Sequence, residues 1–267
     1  MSTDVLRLGD TGKAVKALQA ALLKHGFNPG LADGEFGGGT QAAVIAFQRS
    51  EGLLADGVAG PRTQAELGLV RSAQLPDVSA QMTVQIASRM CPDTPLANIK
   101  ANLPVLLKAL ADAGLSHRTM VLMAVATVRA ETESFLPVSE GRSRFNTSPS
   151  GHPFDLYDSR RDLGNRGAPD GERYKGRGFI QLTGRANYAK YGPKLHPALN
   201  LEATPDLANA SKVAADLLVL FLADRELQIK DALMHGNLQA ARRLVNGGVH
   251  GLDRFSEAYR MGDSLLT

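Results

Sequence analysis

Glu131 is the residue best placed in this sequence to donate a proton. Val121 and Val128 share one helical face, and Glu131 follows three residues later on the same apolar stripe. A carboxyl at the end of such a stripe is partly desolvated, which raises its pKa and suits a general acid at neutral pH. The alternative is a helix-end glutamate in solvent, and position alone weighs the two equally. Glu133, four residues after Arg129, is expected to form a surface ion pair.

Glu140 is a second candidate carboxyl, separated from the first by a predicted turn. Pro137 cannot continue the helix, so the chain turns soon after Phe135 and could bring Glu140 across a cleft from Glu131. Two carboxyls roughly 6.5–9.5 Å apart, with a water between them, form an inverting glycosidase site. The competing interpretation is a loop carboxylate paired with a nearby arginine such as Arg142 or Arg144.

A glycine-rich segment, Tyr174–Gly184, offers further polar groups. Gln181 and Thr183 alternate with apolar residues, so their side chains point to one side if the segment is extended and could hold a water or a sugar group. The segment lacks the lysine and hydroxyl ending of a phosphate-binding loop. Asn246 precedes two glycines, which is also the pattern of an ordinary helix C-terminus.

The composition is that of a globular protein and excludes several classes. The 267 residues are 43% hydrophobic and 21% charged, and the net charge of +3 does not indicate a nucleic-acid partner. Cys91 is the sole cysteine, which excludes an internal disulfide and a zinc site built on thiolates. No apolar run approaches the roughly 20 residues of a membrane span. Residues 1–10 show no secretory signal, which predicts a protein made in a cytoplasm that another factor must release if its substrate lies outside.

The chain is expected to fold into two mainly helical domains. Residues 33–42 and 56–65 are identical at six of ten positions, and each copy predicts a turn that leads into a helix. We therefore predict a three-helix binding domain over 1–68, a linker over 69–80, and a larger helical domain over 81–267. Its predicted helices lie at about 83–91, 97–114, 117–133, 211–224, 227–235 and 237–246. The irregular region 136–176 between them is expected to line a cleft.

Several motifs occur in the order seen in a known enzyme family. Ala130–Phe135, Glu140, Gly176–Gly184 and Asn246–Gly248 resemble the chitinase-like glycoside hydrolase family 19, and most of all its phage endolysin branch, over residues 81–267. The duplication near the N-terminus, together with Leu8–Gly12 and with the residues Val15, Leu18 and Gln19, resembles the peptidoglycan-binding domain 1 family over residues 5–68.

The resemblance implies a role for each matching residue. Glu131 matches the family's catalytic acid, Glu140 the base that activates water, and Thr183 the hydroxyl residue that helps to hold this water. The matching substrate-cleft residues are Tyr174, Gln181, Asn187 and Asn246. The implied protein has a lysozyme-like catalytic domain and hydrolyses β-1,4 bonds of bacterial peptidoglycan. It works as a monomer without a metal or other cofactor, and it remains in the host cytoplasm until lysis releases it to the wall.

The sequence departs from the family pattern at a few positions. Glu133 stands where glycine is usual, and Phe179 replaces a common proline. There is no tryptophan, so Phe145, Tyr157 and Tyr174 would have to supply the apolar surfaces for sugars. These departures make chitin a less favoured substrate than peptidoglycan.

Three other functions remain open at this point. A lytic transglycosylase would need Glu131 but no base. A zinc peptidase is disfavoured because the six histidines are scattered without a His-Glu-x-x-His motif, which leaves only His152 and Asp155 as suspected ligands. A wall-binding protein without catalysis is the last alternative.

Overall fold

The described part of the chain divides into two compact units. The structure is a computed structural model that describes residues 5–51, 53, 55–69, 76–234 and 236–266. The division falls between Leu75 and Pro76. Both units are mainly helical, as the sequence predicts. Among the described residues, no helix combines the length and the apolar character needed to cross a bilayer.

The first unit contains three helices, α1 (Lys13–Lys24), α2 (Gly38–Ser50) and α3 (Pro61–Glu66). The first two each bury an apolar face, which includes Leu18, Leu22, Val44 and Phe47. Each copy of the duplicated segment forms a turn that leads into α2 or α3. Pro61 is the first residue of α3, where its missing N–H removes no helical hydrogen bond.

Two buried glutamines explain why the duplicated segments look alike. The Gln19 amide donates to Asp33 Oδ1, to the Glu35 carbonyl and to Thr40 Oγ1, and its carbonyl accepts from the Gly34 N–H. Gln48 makes the same four contacts one copy later, with Asp56, Val58, Thr63 and Gly57. Each glutamine is at most 2% exposed, so each turn is fixed by one fully satisfied amide.

We expect Gln48→Ala to loosen the second turn selectively. The change leaves the buried Gly57 N–H without its acceptor, which costs about 1–3 kcal/mol. Hydrogen exchange on the full chain should show faster exchange of the Gly57 amide, while the Gly34 amide on the Gln19 turn changes little. Arg49→Ala, at the exposed residue that follows Gln48 in the same helix, is the matched control. Equal exchange of Gly57 in both variants would contradict this role.

The second unit is built around one almost completely buried helix. Every residue of α6 from Met120 to Ala130 is buried, and α4, α5, α10, α11 and α13 pack against it. The helices of this unit are α4 (Val84–Met90), α5 (Leu96–Asp112), α6 (Arg118–Thr132), α7 (Asp155–Asp158), α8 (Asp170–Arg173), α9 (Arg185–Tyr191), α10 (Ser211–Ala223), α11 (Glu226–Met234), α12 (Leu238–Asn246) and α13 (Leu252–Leu265). The six predicted helices correspond to α4, α5, α6, α10, α11 and α12.

Helix α13 was not predicted, although it packs extensively on α6. Its buried face includes the small residues Ser256, Ala258 and Gly262, which give a weak apolar pattern. A Cβ on Gly262 would lie 2.5 Å from Leu122 Cδ2, so the two helices approach closely at this glycine. Small residues permit this close packing. They also leave the sequence without the periodic large apolar side chains by which a helix is predicted.

The boundary between the units differs from the predicted linker over 69–80. Residues 70–75 lie outside the described residues, but the segment from Pro76 already belongs to the second unit. Val78 is 5% exposed in the core, and its N–H donates to the Ser116 carbonyl over 2.9 Å. The end of the predicted linker is therefore a packed part of the second unit.

The irregular region predicted over 136–176 is confirmed and carries a small sheet. Strand β1 (Val138–Ser139) pairs antiparallel with β2 (Arg177–Gly178), with Val138 opposite Gly178. The short helices α7 and α8 lie between the two strands in the sequence. This pairing fixes the backbone that leads into Glu140.

Candidate active site

Glu131 is the next-to-last residue of α6, and its side chain is 12% exposed. Its carboxyl oxygen Oε1 lies 2.8 Å from Nη1 of Arg242, whose side chain is completely buried. Burial raises the pKa of Glu131, and this outweighs the opposing effects of Arg242, His250 and Arg254. The desolvated carboxyl expected from the apolar stripe is thus present.

Arg242 joins the end of α6 to the loop before α13. Its Nε and Nη2 both donate to the His250 carbonyl, over 3.1 and 2.9 Å, and its guanidinium carbon lies 5.9 Å from the Phe255 ring. The third guanidinium nitrogen, Nη1, forms the ion pair with Glu131. The arginine is therefore anchored by contacts that do not involve the carboxyl.

Asn246 stabilises the same loop through both polar atoms of its side-chain amide. Its Nδ2 donates to the His250 carbonyl over 2.9 Å, and its Oδ1 accepts from the Gly248 N–H over 2.9 Å. These contacts give Asn246 a structural role beside Glu131, and its predicted role in substrate binding stays a prediction.

The chain turns sharply directly after Glu131. Glu133 has a φ of +49°, which ends the helix, and its carboxylate pairs with Arg254. Arg129 pairs instead with Asp93 over 2.9 Å. The expected surface ion pair of Glu133 is present, but its partner comes from α13 and not from its own helix.

Glu140 accepts three hydrogen bonds from neutral groups. Asn146 Nδ2 and the Tyr157 hydroxyl donate to Oε1, both over 2.9 Å, and the Gly176 N–H donates to Oε2 over 3.2 Å. The Glu140 N–H also donates to the Gly176 carbonyl over 2.7 Å. Burial raises the pKa of Tyr157 to about 12, with Glu140 adding to the effect, so the phenol remains a donor at neutral pH. The carboxylate is therefore held by donors and not by the ion pair with Arg142 or Arg144 that was the alternative.

Gln181, Thr183 and Asn187 form a chain of hydrogen bonds beside β2. Gln181 Nε2 donates to the carbonyls of Val138 and Gly178, Thr183 Oγ1 to the Gln181 carbonyl over 2.8 Å, and Asn187 Nδ2 to the Thr183 carbonyl over 2.8 Å. The segment is not extended, because Gln181 has a φ of +49°. The Thr183 hydroxyl is half-buried and can still accept a hydrogen bond from water.

Gly176 lies between the side chains of Gln181 and Glu140. A Cβ on Gly176 would lie 2.9 Å from Gln181 Oε1 and 3.2 Å from Glu140 Oε2. Both polar side chains therefore approach the same glycine closely, and a larger residue would push them apart. This closeness accounts for a glycine at the position.

Tyr174 was predicted to line the substrate cleft, but the structure places its side chain in the interior. Its ring is only 1% exposed, with its centroid 5.5 Å from that of Tyr188 and 4.6 Å from the guanidinium carbon of Arg185. A ring enclosed in this way cannot offer a surface to a sugar. Phe145, in contrast, is 74% exposed, and Tyr157 is half-buried with its hydroxyl on Glu140.

Arg242 and Asn146 were missed by the sequence analysis. A signal was available for Arg242, since it lies on the apolar stripe of α12 formed by Leu238, Ala241 and Val245, where a charge must find a buried partner. No comparable signal marks Asn146, which is completely buried within an irregular segment.

The suspected metal ligands are used in other contacts. His152 Nε2 lies 2.9 Å from Asp158 Oδ2, whereas Asp155 Oδ1 accepts from the Ser148 N–H over 2.7 Å. Within the described part of the chain, no group of three or more histidine, cysteine, aspartate or glutamate side chains could hold a metal ion.

We expect Arg242→Met to raise the pKa of Glu131 further. The guanidinium favours the ionised carboxylate, so its removal shifts the titration to higher pH, as followed by NMR of the carboxyl carbon. Arg243→Met, at the exposed neighbour on α12, should leave the titration unchanged, and Arg242→Lys should keep it near that of the original chain. A lower pKa in Arg242→Met with the fold retained would contradict the ion pair.

Comparisons with known proteins support the division into units. Residues 11–67 match the family model described as a putative peptidoglycan binding domain. A glycosyl hydrolase family 19 domain-containing protein of Haemophilus influenzae is 30% identical over 105 residues, which cover 39% of this chain and 48% of that protein. The N-acetylmuramoyl-L-alanine amidase CwlM of Mycobacterium tuberculosis is 46% identical over 61 residues, 23% of this chain and 15% of the amidase.

The chain thus spans less than half the length of these two curated relatives. Among solved structures, the endolysin of Burkholderia AP3 phage aligns over 98% of this chain and 99% of its own, with 19% identity and a TM-score of 0.24. A score that low does not define a shared fold.

Proposed function

We propose that the protein is a peptidoglycan-degrading glycoside hydrolase that cuts β-1,4 bonds of the wall glycan with inversion. The observation that carries the proposal is the carboxyl of Glu131, which burial keeps at a raised pKa at the end of the central helix α6. The match of residues 11–67 to a peptidoglycan-binding family supports the wall as substrate. The 30% identity to a family 19 domain protein supports glycosidic over amide cleavage.

Glu131 and Glu140 have environments suited to different roles. Glu131 donates its proton to the glycosidic oxygen as the bond to the anomeric carbon breaks. Glu140 accepts a proton from the water that attacks this carbon from the opposite face, and its three hydrogen-bond donors orient the carboxylate for that step. The Thr183 hydroxyl can accept a hydrogen bond from the same water.

Arg242 has a function in both protonation states of the acid. Before reaction, burial raises the pKa of Glu131 despite the guanidinium nearby, and this favours the protonated acid. After proton transfer, the carboxylate carries a charge that the completely buried Arg242 stabilises directly. Asn246 and the loop up to His250 keep the arginine in place for both states.

The biological context proposed is that of an endolysin. The order of the motifs from Ala130 to Gly248 supports it, and the enzyme would act as a monomer that needs no cofactor. It would accumulate in a phage-infected host cytoplasm and reach the wall when the inner membrane is permeabilised.

We expect Glu131→Gln to reduce glycan cleavage by about 100-fold to 10,000-fold, the usual contribution of general acid catalysis. Glu140→Gln should cause a comparable loss. Release of reducing ends from soluble glycan strands measures both, and NMR of the first product should show the α-anomer. Glu133→Gln, which removes only an exposed ion pair two residues away, is the matched control and should change the rate little.

The results separate the alternative functions. Anhydro sugar ends and a largely active Glu140→Gln variant would identify a lytic transglycosylase. Release of peptides without new sugar ends would identify a peptidase or an amidase. Wall binding with no bond cleavage by the original chain would leave a binding protein and overturn the proposed activity.

We expect the glutamines of the first unit to control wall binding but not cleavage of short fragments. On a Glu131→Gln background, which leaves the wall intact, Gln19→Ala with Gln48→Ala should lower binding to purified walls about tenfold or more, because the tethered site is lost. The same two changes on the active chain should leave the rate on short soluble fragments unchanged. Arg49→Gln, at an exposed residue of α2, is the control. Equal losses on both substrates would contradict separate functions for the units.

A further inference from the structure

A cationic and aromatic loop, Gly141–Phe145, begins directly after Glu140. All five of its residues are exposed, and it carries Arg142, Arg144 and Phe145. The guanidinium carbon of Arg144 lies 4.9 Å from the centroid of the Phe145 ring, which is 74% exposed. Among the residues described, no acidic side chain lies within ion-pair distance of either arginine. Two unneutralised charges and an open ring are therefore presented together.

The loop is held in place by the carboxylate of the proposed base. Asn146, completely buried, donates from Nδ2 both to Glu140 Oε1 and to the Gly141 carbonyl, each over 2.9 Å. Its Oδ1 accepts from the Ser143 N–H over 2.9 Å, and Ser143 Oγ accepts from the Phe145 N–H over 3.2 Å. One buried side chain thus links the position of the loop to that of Glu140.

We propose that this loop binds a carboxylate of the peptidoglycan strand beside the bond that is cut. The proposal rests on the proposed function and adds the basis of substrate choice. Muramic acid carries a lactyl group that either is linked to an acidic peptide or ends in a free carboxylate, whereas a polymer of N-acetylglucosamine is neutral. Two arginines fixed next to Glu140 attract the charged strand, and Phe145 offers an apolar face to a sugar ring.

The position of the loop favours a contact near the reacting sugar over a distant one. Glu140 must lie near the anomeric carbon to deliver water, and Arg142 and Arg144 lie only two and four residues further along the chain. A carboxylate on that sugar or on its neighbour is therefore within reach of a long arginine side chain. The charged group is part of the substrate, so its binding affects the reaction on charged strands and not on neutral ones.

The test compares matched substrates and matched variants on the full chain. The substrates are soluble peptidoglycan strands, the same strands with their carboxylates amidated, and strands freed of peptides by an amidase, which keep only the lactyl carboxylate. The variants are Arg142→Gln with Arg144→Gln, and a control with Arg89→Gln and Arg260→Gln, which removes two exposed arginines from α4 and α13. The measured quantity is kcat/KM for release of reducing ends.

We expect amidation to lower kcat/KM of the original chain and of the control about fivefold to tenfold, the range expected for two exposed ion pairs. The loop variant should be low on untreated strands and should show no further decrease on amidated ones. If the loop variant also loses activity on the peptide-free strands, the loop accepts the free lactyl carboxylate as well as the peptide carboxylates. If it loses none there, the contact is restricted to the carboxylates of the peptide.

Two results would overturn the proposal, and they have different meanings. An equal effect of amidation on the loop variant and the control, with the original chain active, overturns the loop contact alone. No reducing ends from any strand with the original chain overturns the proposed function and this contact with it. Phe145→Ala should reduce kcat/KM on untreated and amidated strands by the same factor. Packing of the ring against a sugar does not depend on the charge of the strand's carboxylates.

Discussion

The ion pair between Glu131 and Arg242 is the interaction on which the proposed chemistry depends. Removing a carboxylate and a guanidinium from water costs free energy, and the pair offsets this only if both partners are well placed. Arg242 meets that requirement through the His250 carbonyl and the Phe255 ring, so the charge beside Glu131 is positioned before any substrate arrives. Because burial still dominates the pKa of Glu131, the carboxyl can hold a proton and can also lose it.

The second carboxyl, Glu140, is held by neutral hydrogen-bond donors and not by a charged partner. These donors account for how the long irregular region keeps one conformation. The donors to Glu140 come from Asn146, Tyr157 and Gly176, three points spread along the segment between the two strands. A segment with little regular structure needs specific polar contacts to adopt one conformation, and the Glu140 carboxylate provides three of them. The region thus folds around the group that it presents, whereas α6 would form a helix with or without Glu131.

Sequence reasoning succeeded where a residue's environment follows from its neighbours in the chain. The stripes of α5, α6 and α10 predicted their helices, and the stripe of α6 predicted a desolvated Glu131. Sequence reasoning failed where the environment of a residue is set by segments distant in the chain. Tyr174 belongs to a favourable motif, yet Tyr188 and Arg185 enclose its ring. The small buried face of α13 becomes meaningful only beside Leu122 and Met90, which a sequence pattern does not contain.

Buried polar groups distinguish the structural parts of this molecule from the candidate active site. Gln19 and Gln48 have every amide group satisfied, so a movement of either side chain would break several hydrogen bonds and gain none. Arg242, in contrast, is completely buried and pairs with Glu131, a carboxyl whose pKa is raised because burial outweighs the ion pair. A buried charge of this kind costs free energy and is retained where it has a use. In the proposed reaction, that use is to stabilise the Glu131 carboxylate once its proton has been transferred, while the contacts with the His250 carbonyl keep the arginine in place.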